Sequence, residues 1–127
     1  MTIAIIAHDN KKAEMLSFVM KRLDFFKRED IAIMSTGTTG KLISDAGLTN
    51  VTCLKSGPLG GDAQIAAELV TKQIDLVLFF IDPLYSHPHE VDIHMLLRLC
   101  NVYDVPLATN YSTAKRLISY VKHNQYE

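Results

Sequence analysis

The chain has 127 residues, enough to bury a core without disulfide or metal staples, and one domain, residues 1–127, accounts for it. Thirteen basic against fourteen acidic residues give a formal charge of -1, which argues against a nucleic-acid surface and leaves any anion to be held by local groups. The cysteines, Cys53 and Cys100, have neither metal nor redox spacing and fall inside expected elements, so buried, reduced thiols of a cytoplasmic protein are expected.

Residues 2–7 form a short, β-branched-rich apolar run that reads as a strand. The run is too short, and too soon followed by charge, for a signal peptide. Met15, Phe18, Val19 and Leu23 follow at helical spacing, with Asp9 placed to cap that helix. Residues 31–34 read as a second strand, 41–46 as a short helix closed by Gly47, and 51–54 as a third strand. Ile65, Ala66, Leu69 and Val70 mark one helix face. Residues 75–81 form a continuous apolar strand of the kind buried on both faces of a parallel sheet, and they fall far short of a membrane span. Ile93, Leu96, Leu97 and Cys100 give the next helical stripe, 106–109 a last strand, and 114–121 a closing helix. Such βα alternation implies an α/β fold, a three-layer α/β/α domain with a five-stranded parallel sheet and right-handed crossovers. Ligands in such sheets bind where loops leave the carboxyl ends of the strands, and each polar cluster described next falls in one of those loops.

The loop after the first strand carries His8, Asp9 and Lys12, and a lysine in a first helical turn can pair with phosphate. The alternative there is a capping Asp9 and a solvated Lys12. After the second strand, Thr36, Gly37, Thr38, Thr39 and Gly40 offer hydroxyls and backbone N–H groups at a helix start, where the dipole favours an anion. The Walker A lysine and spacer are missing, so the loop reads either as a phosphate cradle or as a Thr-capped helix. After the third strand, SGPLGGD supplies Ser56 and Gly57 as donors, a stiffening Pro58, and two glycines that turn the chain before Asp62. Asp62 is either a cap or a catalytic carboxylate. The loop after the fourth strand, DPLYSHPHEVD, holds Asp82, His87, His89 and Asp92. Two histidines two apart with a carboxylate raise zinc as a minor alternative, which Pro88 between them and the lack of a completing cluster oppose. Thr109 and Asn110 suit helix caps, and His94 and His123 have no supporting context.

Taken together, AHDxxK, TGTTG, SGPLGGDxQI, DPLxxxPHxxD with LLRLC after it, and PLATNxxTA closely resemble methylglyoxal synthase over residues 3–114. The resemblance implies a five-stranded parallel sheet of order 3-2-1-4-5 and a homohexamer. It implies a lyase that converts dihydroxyacetone phosphate to methylglyoxal and inorganic phosphate without metal or organic cofactor. On matching positions, Asp62 becomes the base, and His89 and Asp92 assist proton movement on substrate oxygens. Lys12, Thr36, Gly37, Thr38, Thr39, Ser56 and Gly57 grip the phosphate, His8 contacts substrate, Asp9 supports its loop, and Asp82 shapes the site. The chain ends at Glu127, where many members continue into a tail with an arginine, so weak allosteric inhibition by phosphate is expected. Two other functions fit parts of the pattern. A non-catalytic effector module, like the regulatory domain of carbamoyl phosphate synthetase, needs the cradle but not Asp62, His89 and Asp92, and a metal hydrolase would use His87, His89 and Asp92.

Overall fold

Residues 2–7 place apolar side chains on both faces, a pattern suited to a strand covered on both sides. In the computed structural model, which describes residues 1–84 and 90–124, this segment is strand β1 (Thr2–Ala7). It pairs in parallel with β2 (Ala32–Thr36) on one side and with β4 (Leu76–Phe80) on the other. Strand β3 (Val51–Leu54) pairs outside β2 and β5 (Leu107–Ala108) outside β4, so five parallel strands run in the order β3-β2-β1-β4-β5. This is the expected α/β sheet, with β1 at its centre and the wholly buried β4 beside it.

Alternation along the strands feeds two cores. Ile3, Ile5, Leu78 and Phe80 face helices α1 (Lys12–Met20), α2 (Leu23–Phe26), α3 (Gly37–Asp45) and α6 (Tyr111–Asn124). Ala4, Ile6, Val77 and Phe79 face α4 (Gly61–Val70) and α5 (Glu90–Val102). The helices thus form the outer layers of a three-layer sandwich.

Local chemistry moves several boundaries from their expected positions. The stripe ending at Leu23 is broken because Arg22, at φ -124° and ψ 31°, leaves the helical region, and its guanidinium instead lies 4.1 Å above the Phe18 ring. Arg22 also donates to the Tyr111 hydroxyl at 3.4 Å, and this donor holds the phenol's pKa below its ordinary value. Helix α3 starts at Gly37, ahead of the expected residue 41, so the whole TGTTG segment lies at its first turn. Helix α6 starts at Tyr111, since Asn110 Oδ1 accepts the Thr113 N–H at 2.9 Å as an N-cap. Asp9 does not cap α1. It opens a short 3₁₀ turn, Asp9–Lys11, and the residue before α1 is Lys11.

The cysteine expectation holds for one residue and fails for the other. Cys100 is buried in the α4/α5 core, and burial raises its pKa from 9.0 to about 11. Cys53 is exposed, because β3 is the edge strand of the sheet. A thiol reagent at pH 8 is therefore expected to modify Cys53 and spare Cys100 until the protein is unfolded. Equal labelling rates in the folded protein would contradict this packing. The neutral, buried Cys100 contributes stability that is complete below pH 9 and is lost as pH rises toward 11, because the unfolded thiol ionises first.

Candidate active site

Parallel strands end at one edge, so the loops after β1, β2 and β3 converge there although they are far apart in sequence. They enclose a cavity of about 160 Å³. This is below the roughly 300–1,000 Å³ typical of drug-sized ligand pockets, which restricts an occupant to a small metabolite.

One wall is built for an anion. Thr36 precedes α3 and makes no side-chain cap bond, and Gly37, at φ +49°, donates its N–H to the Lys55 carbonyl at 3.2 Å. A side chain at Gly37 would stand 2.9 Å from the Ser56 Cα, so glycine lets the second and third loops touch. The N–H groups of the first turn of α3 have no acceptor one turn earlier, and their dipole favours negative charge. Thr39 Oγ1 is buried without a hydrogen-bond partner among the described residues, which leaves it available to a ligand oxygen. Lys12 Nζ donates to Thr38 Oγ1 at 3.3 Å and to Asp9 Oδ1 at 2.7 Å. The Asp9 side chain is 93% exposed, so water screens this pair, and Asp9 steers the ammonium more than it neutralises it. Ser56 and Gly57 close the wall ahead of the turn Gly57–Leu59.

The opposite feature is Asp62. The residue that precedes α4 is Gly60, at φ +109°, so Asp62 lies inside the first turn and is not the cap. It is 1% exposed and lines the cavity. Gly61 fixes that position, since a Cβ there would overlap the Lys55 carbonyl oxygen, and its N–H donates to Ser56 O at 2.8 Å. Gln64 Oε1 accepts the Lys55 N–H, also at 2.8 Å, and ties the helix bearing Asp62 to the strand end that leads into Ser56. No pattern in the sequence marks this role, because Gln64 is an exposed helix residue like many others.

His8 also lines the cavity and is 5% exposed. The backbone N–H of Asp82 donates to its Nδ1 at 2.8 Å. The Asp82 carboxylate accepts from Asn10 Nδ2 at 2.9 Å and from the Leu84 N–H at 3.0 Å, so Asp82 stands behind His8 and off the cavity wall. Asp92 is in the first turn of α5, exposed and likewise off the wall. His87 and His89 lie outside the described residues. Among the described residues no group of three or more His, Cys, Asp or Glu side chains is arranged to hold a metal, and no helix is long and apolar enough to cross a membrane.

The MGS-like domain family matches residues 16–109, a span that contains the α3 cradle and Asp62 and begins after His8 and Lys12. The chain is 53% identical over 116 residues to the methylglyoxal synthase of Carboxydothermus hydrogenoformans, covering 91% of this chain and 93% of that protein. The chain belongs to the methylglyoxal synthase family. Identity to the family member from Bacillus subtilis is 45% over 127 residues, covering 100% of this chain and 91% of that one. An uncharacterised protein of Synechocystis is 51% identical over 116 residues, which are 91% of this chain but 26% of that longer protein. The crystal structure of methylglyoxal synthase from Elizabethkingia anophelis superposes with a TM-score of 0.83 at 41% identity, over 93% of this chain and 76% of that one. The expectation of an enzyme of this family, rather than a binding module, stands.

Proposed function

We propose that the chain converts dihydroxyacetone phosphate to methylglyoxal and inorganic phosphate, with Asp62 as the base. The observation that carries this reading is the meeting of a buried carboxylate and an anion cradle in one cavity of about 160 Å³. Family membership and the names of the relatives agree with it.

The substrate phosphate sits against the first turn of α3, with Lys12, Thr36, Thr38, Thr39 and the Ser56–Gly57 backbone as donors. Held there, the triose carries its hydroxymethyl carbon toward Asp62, which removes a proton from that carbon. Electrons move onto the carbonyl oxygen, and the resulting enediolate is stabilised by donors aimed at it, among them His8 and, following the family pattern, His89. The enediolate then expels phosphate by breaking the C–O bond on the far carbon. That bond must stand out of the enediolate plane for the electrons to reach it. The cationic cradle favours the dianionic leaving group, and the enol left behind tautomerises to methylglyoxal. Asp92 belongs to this proposal as an assistant in proton movement and Asp9 as the residue that steers Lys12.

A homohexamer and weak allosteric inhibition by phosphate are further parts of the proposal. Purified protein incubated with dihydroxyacetone phosphate is expected to release methylglyoxal and phosphate in equal amounts, with no loss of rate in a chelator. Tight phosphate binding without any turnover would replace the lyase by an effector-binding module. A rate abolished by chelator would point to the metal hydrolase.

A further inference from the structure

His8 meets the protein through a donor that cannot change its role. A backbone N–H only donates, so the imidazole nitrogen 2.8 Å from the Asp82 N–H must be unprotonated. That nitrogen is Nδ1, and the neutral ring then carries its proton on Nε2. A protonated imidazolium would set N–H against N–H at this contact. The ring is further located by Phe79, whose centroid is 5.2 Å away in an edge arrangement, and by the backbone bond from the His8 N–H to Phe80 O at 3.1 Å. His8 is thus supported from β4 and the residues that follow it.

What holds Asp82 in place is a cross-loop bond. Asn10 Nδ2 reaches from the loop after β1 to Asp82 Oδ2 at 2.9 Å, while the Leu84 N–H takes the other carboxylate oxygen. We propose that Asn10 is a positioning residue which, through Asp82, keeps His8 as the Nε2–H tautomer, a neutral donor of one proton to a substrate oxygen. Among the described residues, Asp9, Lys12 and Asp62 are the other ionisable groups on the same cavity wall, and Asp82 is the one behind it. None of them supplies a donor that replaces the Asp82 N–H at Nδ1. A fixed Nε2–H suits a site where negative charge develops on oxygen, because a neutral imidazole can donate there without being an acid strong enough to lose its proton in the ground state. The catalytic use of His8 rests on the proposed lyase reaction, but its tautomer does not.

The proposal is tested on Asn10, which is exposed and whose replacement leaves both cores intact. Long-range ¹H–¹⁵N spectra, with His8→Gln used to assign the signals, report the protonation of each imidazole nitrogen without substrate. In the wild type, Nδ1 is expected to show the signature of a bare nitrogen and Nε2 that of N–H. In Asn10→Asp, an isosteric change that replaces the donor by a charge repelling Asp82, the two signals are expected to shift toward each other as tautomers mix. In the kinetic assay, kcat should fall about threefold in Asn10→Ala and about tenfold in Asn10→Asp, with KM little changed. An Nδ1–H tautomer in the wild type would overturn the proposal. So would Asn10→Asp with wild-type imidazole signals. A wild-type protein inert toward dihydroxyacetone phosphate, yet showing the expected tautomer and its loss in Asn10→Asp, would remove the lyase reading and leave the role of Asn10 intact.

Discussion

Asp62→Asn is expected to lower kcat by about 10³- to 10⁴-fold while KM for dihydroxyacetone phosphate stays within about threefold of wild type. The amide has the shape of the carboxylate but cannot take a proton, so only the step after binding is lost. Binding is expected to survive because the proposed phosphate contacts come from α3, Lys12 and the Ser56–Gly57 turn. Asp92→Asn provides the contrast. Asp92 is exposed and off the cavity wall, and its loss should cost about tenfold in kcat, at the low end of acid–base effects. An Asp62→Asn protein that keeps kcat within tenfold of wild type would end the assignment of the base.

The sheet was legible because its signals are local and repeated. Apolar runs at residues 2–7 and 75–81 announce strands covered on both faces, and the stripes of α4 and α5 need no tertiary information to be seen. The site was legible at the level of loops, since glycine and threonine at strand ends mark places where backbone donors are exposed. What stayed hidden depends on partners distant in sequence. Asn10 and Asp82 are 72 residues apart, and nothing near either one predicts their bond. The roles of Asp9 and Cys53 were misread for the same reason. Asp9 is claimed by the Lys12 ammonium before it can cap a helix, and Cys53 lies in a strand whose position at the sheet edge only the topology reveals.

Gly61→Ala should also damage turnover, although it removes no functional group. The added methyl would overlap the Lys55 carbonyl oxygen and stand 2.8 Å from the Lys55 carbonyl carbon and 2.9 Å from Ser56 O. These are backbone atoms, so no side chain can rotate away and the loop itself must move. Any such movement separates the two halves of the site. Gly61 directly precedes Asp62, while Lys55 and Ser56 lead into the phosphate wall, where the Lys55 carbonyl accepts the Gly37 N–H. A misplacement near 1 Å can cost about 10² in rate, so a fall in kcat of about a hundredfold is expected, with KM rising as Ser56 and Gly57 shift. The overpacking itself should destabilise the fold by about 1–3 kcal/mol, visible as a lower melting temperature. Gly47→Ala separates geometry from general weakening. Gly47 has φ +115° and no atom within 4 Å of an added Cβ, so alanine there stores backbone strain of about 1–2 kcal/mol without touching the cavity. It should lower the melting temperature comparably and leave kcat unchanged. Wild-type kcat in Gly61→Ala would show that the loop can yield without moving Asp62, and an equal loss of kcat in both variants would trace the effect to stability alone.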